Sequence, residues 1–468
     1  MKLILLNLFI LISTCEIKPD FWYPAQKNEL EAQLTAWQKQ YETQITKIDL
    51  TANSVNWLIL PHAGYKYVGH LLTQGYLPYY AASIDKIIFL APLHRARTEI
   101  FAPECSEIKT VLGSLKVGKI KNFKLEKLPQ EHGFGNHLPF LFKLQNSIKN
   151  KPLVYPIFVG NYSKLNLAEL AKFITPKTLI IVSTDLSHIG ERFDFSPSEK
   201  QEKLDRDILK AIEKLHLSEL EQAYDDAGKT VCGMQPLKLL IELLNNLPLL
   251  NIELKNIIYD NSQNITKDMI ADSSADSSVG YGVLAGQAQL WQLPEQEKSL
   301  ILNFTKNYFN YLLDPALPKP KLKNVADKLP NPYGVFVTIK NNGQLRGCLG
   351  LLDAYDKNFS TQLISRIKAL ADGQDTRFSQ INLAEFPDLH FDVSVLMSPQ
   401  ETSLANFDLQ DGVILTHPNG RAIYIPGVIE EQGWDAVTAF ESLAEKAGLK
   451  KDSWQESKLE SIKSVVIN

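Results

Sequence analysis

Three apolar runs in the first half of the chain stop at a polar residue with a histidine at or just beyond the stop. Val55–Pro61 runs into His62, Lys86–Pro92 is followed by His94, and Thr178–Thr184 leads to Asp185 and His188. A β-rich apolar run that ends this way reads as a buried strand reaching a sheet edge. In open α/β sheets, ligands sit beyond the carboxyl ends of the strands. One arrangement of the sheet therefore lines up His62, His94, Asp185 and His188 on a single rim. Such a rim suits a metal site or an acid/base site.

The surrounding pattern fixes the fold class. Strand candidates at Trp57–Leu60, Ile87–Leu90, Leu153–Val159 and Leu179–Ser183 alternate with helices such as Leu30–Tyr41, Gln201–Leu215 and Gln235–Leu244. This alternation predicts an α/β domain with a layered, largely parallel sheet. After the polar loop Asp272–Ser278, Val279–Ala285 reads as a closing edge strand. A boundary falls near Gln287–Pro294. Beyond it, Leu300, Ile301, Phe304, Tyr308, Tyr311 and Leu312 share one helical face. Gly334–Lys340 and Leu345–Leu351 flank turn residues and predict a hairpin. Ser360–Ala371 reads as a helix ended by Gly373, and Phe391–Met397 as a half-buried strand. The second part is thus a smaller α+β domain. The expected division is an N-terminal segment over 1–18, a first domain over 19–288 and a second over 293–468.

A chain of 468 residues with 44% apolar and 22% charged residues is globular and large enough for two or three domains. Its net charge of −4 is spread along the chain and gives no basic field for nucleic acid. Cys15, Cys105, Cys232 and Cys348 lie far apart, which suggests neither a disulfide framework nor a four-cysteine zinc site. Leu3–Ile12 is too short to span a bilayer but has the length of a signal core. Ile12-Ser13-Thr14-Cys15 looks like a lipoprotein cleavage box, with membrane anchoring through Cys15. A buried first strand or helix is the alternative reading, and a cytoplasmic location goes with it.

Several residues can carry chemistry. His62 and His94 follow strands, and neutral imidazoles suit iron, zinc or copper. Glu131–Pro139 adds His132 and His137 in a glycine-containing loop; for His132, helix capping in a solvated loop is an equal alternative. Asp185 lies within reach of His188, as in pairs where a carboxylate orients a general base, although it also suits a helix cap. Cys232 stands near a helix start, a position that favours thiolate; a buried small residue is the plainer reading.

These pieces, in order, resemble the Memo family, also called AmmeMemoRadiSam system protein B. The matching segments are Phe21–Pro24, PHAGYKYVG at 61–69, APLH at 91–94, EHGFGNHLPF at 131–140, STDLSHIGERF at 183–193, VCGMQP at 231–236 and SSVGYGVLAG at 277–286. The resemblance implies the fold of class III extradiol dioxygenases, which hold Fe(II) with two histidines and a carboxylate. In the Memo family a cysteine replaces the carboxylate. His62, His94 and Cys232 are then the implied ligands, His188 the acid/base residue with Asp185 beside it, and His137 a further pocket histidine. Two positions depart from the family: Arg95 replaces a histidine and Gly135 a glutamate.

Gly334–Lys340 with LRGCLG at 345–350 is similar to the AMMECR family, AmmeMemoRadiSam system protein A. DTRF at 375–378, AIYIP at 422–426 and EKAGL at 445–449 support this. Arg346 could present its guanidinium to an anion, and Cys348 lies on the same strand; both also fit a purely structural role. The resemblances imply a metal-dependent protein, oxygenase-like or redox, with Fe2+ first and copper or zinc as alternatives. They also imply a small-molecule substrate and a radical-SAM enzyme as partner. A metal-binding or redox-signalling module without turnover, or a zinc hydrolase at the same site, are the other classes.

Overall fold

A computed structural model describes residues 14–18, 22–43, 54–95, 99–267, 277–322, 332–352, 358–404 and 407–468. The signal-like run Leu3–Ile12, Phe21 and most of the Asp272–Ser278 loop lie outside the described residues. The fold divides into two compact units. The first comprises residues up to Asn246 plus Glu253–Gln287, and the second Leu247–Ile252 plus Ala288–Asn468.

The first unit is built on a seven-stranded sheet. Its strands are β1 (Ser54–Leu60), β2 (Lys86–Pro92), β3 (Leu153–Val159), β4 (Thr178–Ser183), β5 (His188–Ile189), β6 (Leu249–Asn261) and β7 (Ser278–Leu290). The order is β5-β7-β1-β4-β2-β3, with β6 also paired to β7. β1, β4, β2 and β3 run parallel. Every residue of β1 and β4 is buried, which is why these strands read as near-continuous apolar runs rather than alternating ones. Helices follow the strands, including α1 (Lys27–Tyr41), α2 (Tyr65–Tyr76), α3 (Leu138–Ser147), α4 (Gln201–Glu213) and α5 (Met234–Asn245). The register sets Leu60 level with Ser183, and Leu90 level with Val182. His62 and His94 therefore leave the sheet on the same rim, on either side of the β4 end.

Two expectations are corrected. β7 is not an edge strand: it lies between β5 and β1 and is buried along almost its whole length. Its glycines permit close neighbours; a Cβ on Gly286 would stand 2.1 Å from the Trp57 ring. The cysteines also pair. Thr14–Glu16 forms a short strand parallel to Glu107–Lys109, and Cys15 is disulfide-bonded to Cys105 across 90 residues of sequence. Spacing in the sequence carries no signal for such a long-range pair. A lipid anchor would need the same Cys15 sulfur.

In the second unit, α6 (Glu295–Leu313) buries Ile301, Phe304, Tyr308 and Phe309. Leu300, expected on that face, is half exposed instead. The hairpin β8 (Gly334–Asn341) and β9 (Gln344–Leu352) turns through Asn342 and Gly343, both at positive φ, as a two-residue connection requires. β10 (Leu389–Leu396) pairs with the other side of β8. α7 (Phe359–Ala371) ends at Gly373 (φ 70°), where the N–H groups of Gly373 and Gln374 bond back to Leu370 and Ala369. This is the Schellman closure that glycine favours.

Candidate metal centre

His62 follows β1 and is almost fully buried. Its Nδ1 is 2.9 Å from Ser183 Oγ. The Ser183 hydroxyl donates its single hydrogen to the Gly133 carbonyl, so it can only accept from His62. That places the imidazole hydrogen on Nδ1 and leaves a bare lone pair on Nε2. This Nε2 is buried and has no hydrogen-bond partner among the described residues. An orphaned buried acceptor of this kind calls for an unseen ligand.

His94 follows β2 and is fixed the same way. Glu131 Oε1 accepts from its Nδ1 at 2.6 Å, and Oε2 from its backbone N–H at 3.0 Å. The His94 Nε2 lone pair is thereby free as well. A carboxylate on the far nitrogen of a ligating imidazole is a common support for metal sites. Glu131 Oε1 also accepts from Gly133 N–H at 3.1 Å, capping the short turn His132–Gly135. Burial pushes the Glu131 carboxyl up, but the hydrogen bond and charge of His94 and the two backbone N–H groups outweigh it and hold it below its ordinary value.

The same turn carries His132. Ligand nitrogens of His62, His94 and His132 all lie within 4.8 Å of one another. The His94 and His132 rings stack at 4.2 Å, and each stands edge-on to His62. Trp22 covers the other face of His132, nearly parallel at 4.8 Å. Burial, followed by the repulsion of neighbouring histidines, drives His62 well below its ordinary value. Burial and the charge of His94 bring His132 down to about 4. His62 and His132 are thus neutral near pH 7, the form that binds metal.

Residues 20–285 match the family model described as Memo-like protein. The chain belongs to the Memo-like family. Residues 306–464 match the AMMECR1 family model, so the chain is a fusion of a Memo domain with an AMMECR1 domain. Among similar proteins, a memo-1 homolog of Caenorhabditis elegans is 26% identical over 294 residues, covering 56% of this chain and 80% of that protein. The MEMO1 protein of Rattus norvegicus is 26% identical over 287 residues, covering 56% of this chain and 92% of its own. A solved structure of an uncharacterized protein from Pyrococcus horikoshii aligns with a TM-score of 0.34 at 23% identity, covering 37% of this chain and 92% of that one.

Within the Memo domain the other expected residues take separate places. Asp185 Oδ1 accepts the His62 backbone N–H at 2.7 Å, and its Oδ2 stands 3.9 Å from His62 Nε2. Burial raises this carboxyl to about 7, against the pull of the backbone N–H groups and His94. His188 donates Nδ1–H to the Leu186 carbonyl at 3.0 Å, and its Nε2 is 3.5 Å from Cys232 Sγ. Cys232 is thus in contact with His188, while the ligand nitrogens of His132 cluster with those of His62 and His94. Cys232 is partly buried just before α5. Burial, then the charges of Asp185 and Glu131, push this thiol well above its ordinary value. His137 lies fully buried in the core, its Nδ1 2.9 Å from the Tyr76 hydroxyl and its ring against Phe89. Burial lowers it to about 3.

In the AMMECR1 domain, Arg346 is already engaged: it bonds both oxygens of Glu385, at 2.8 and 3.1 Å, and the Ser379 carbonyl at 2.7 Å. Cys348 donates its N–H to Asp375, which is paired with Arg377, and its sulfur lies 3.2 Å from Thr338 Oγ1. Burial raises this thiol too.

Proposed function

We infer that the Memo domain is a metal-dependent protein of oxygenase-like or redox type, acting on a small molecule with iron(II) at the histidine rim. The observation that carries this reading is the pair of Nε2 lone pairs on His62 and His94, each left bare by a fixed hydrogen on the opposite nitrogen. His132 is the third donor that this arrangement favours, and Cys232 the one that the family resemblance implies. Iron held there would supply an electron-transferring centre with open positions for oxygen or substrate.

The chain's own groups serve proton handling and enclosure. Asp185, raised to about 7, can hold or release a proton beside His62 near neutral pH. His188 Nε2 accepts from the Cys232 thiol, giving a second proton store on the same rim. Trp22 shields one face of His132 from water.

The test is anaerobic purification with metal analysis of the wild type, His62→Ala, His132→Ala and Cys232→Ala, followed by oxygen uptake with candidate phenols and thiols. Stoichiometric iron that is lost in His62→Ala supports the site. Equal metal in all four proteins rejects it. Tight iron binding without turnover in any assay would favour a binding or signalling role.

A further inference from the structure

Residues 14–18 are tied to the loop that carries His132 by several contacts. Gln130 Nε2 donates to the Glu16 carbonyl at 2.9 Å, and Gln130 Oε1 accepts the Lys18 N–H at 3.2 Å. Ile17 is buried, and its Cγ2 lies 3.0 Å from the place a Cβ on Gly135 would occupy. The position that departs from the family's glutamate is thus the one against which Ile17 packs. Gln130 adjoins Glu131, the anchor of His94, and Gly135 ends the turn begun by His132. A three-residue strand has little backbone pairing of its own. The covalent tie is the Cys15–Cys105 disulfide. Cys105 is fully buried, while Cys15 is partly exposed.

We propose that Cys15 and Cys105 form a redox clasp on the metal site. As a disulfide they lock residues 14–18 onto the Gln130–Gly135 loop and hold His132 beside His62 and His94. As thiols they release the strap and loosen that loop. Opening takes a dithiol reductant. One of its thiolates attacks the accessible Cys15 sulfur, the S–S bond breaks, and Cys105 leaves as a thiolate that takes up a proton. The second reductant thiol then displaces Cys15, which is also protonated, and the reductant ends as a disulfide. Two electrons and two protons pass to the protein. Closing is the reverse, with a small-molecule or protein disulfide as oxidant. The closed site therefore belongs to an oxidising compartment.

The test uses the full chain stripped of metal with a chelator, so its outcome does not depend on the iron reading. A non-reduced digest should contain a linked peptide joining Cys15 and Cys105. Hydrogen exchange of amides in residues 130–136 should rise roughly tenfold or more on dithiothreitol treatment and in Cys15→Ser. Ile17→Ala, with its disulfide intact, should show a smaller rise at the same amides. Exchange within Thr178–Ser183 should stay unchanged, which separates loosening of the loop from unfolding. Absence of the linked peptide, a lipid on Cys15, or unchanged exchange at 130–136 after reduction would each overturn the proposal.

Discussion

Replacing Glu131 with glutamine tests how the metal site is supported while leaving side-chain shape almost unchanged. The carboxylate receives three donors: His94 Nδ1–H at 2.6 Å, His94 N–H at 3.0 Å and Gly133 N–H at 3.1 Å. In Glu131→Gln one oxygen becomes an NH2 group, so in either amide orientation a donor faces a donor. A hydrogen bond to a charged group contributes about 1.5–3 kcal/mol, and an unsatisfied buried donor costs about 1–3 kcal/mol. His94 is partly open to solvent, which favours the lower end, so the metal-free protein should lose about 2 kcal/mol. The effect on the metal is separate. Loss of a group that orients a ligating histidine typically lowers metal affinity 10–100-fold. Urea unfolding of the metal-free protein reads the first quantity, and competition with a chromophoric chelator the second. If stability falls by about 2 kcal/mol while affinity stays within about twofold, Glu131 is only a helix-turn cap and the support argument is wrong.

Other consequences follow from the same groups. Asp205 is fully buried, accepts the Ser187 N–H and the Tyr259 hydroxyl, and is raised by burial to about 6. The folded state then holds a proton that the unfolded chain has released, so stability should fall as pH rises from about 4 to about 6, by about 3 kcal/mol as an upper figure. Asp205→Asn should remove its part of the slope and leave the part due to Asp185, as read from urea midpoints at pH 4.5 and 7.5. In the metal-free protein, Cys232 should alkylate at least about tenfold more slowly at pH 7.5 than in urea, because only the thiolate reacts; mass spectrometry of iodoacetamide-treated samples checks this. Gly286→Ala sets a methyl against Trp57 and should cost about 1–3 kcal/mol, measurable as a lowered urea midpoint.

The parts of the fold that were legible in the sequence share a physical cause. β1 and β4 are buried on both faces, so their composition alone marks them as parallel strands, and the residues after them fall on one rim. The roles of individual histidines are harder to read. His132 joins the cluster because the turn starting at Glu131 folds back under His94, a contact set by tertiary structure. His137, five residues along, points into the core against Phe89 and Tyr76. Nothing in their local sequence separates the two; only the carboxylate beside His132 gives a hint. The Cys15–Cys105 pair was illegible because its geometry depends on a short strand docking on a distant one. β7 resembled an edge because it follows a polar loop and is interrupted by glycines, yet those glycines are what admit Trp57 and Asp205 against it.

The interior place of β7 also bears on how the protein is made. β7 joins β5 to β1, and β1 bears the residue that leads into His62. A ribosome releases Ser278–Leu290 only after every other strand of the first unit has emerged. Until then β1 and β5 lack their shared neighbour, and the rim they border is incomplete. Nascent chains halted before Ser278 should therefore present the open edge of β1, paired only to β4, to chaperones and to other chains until this last strand slots into the middle of the sheet.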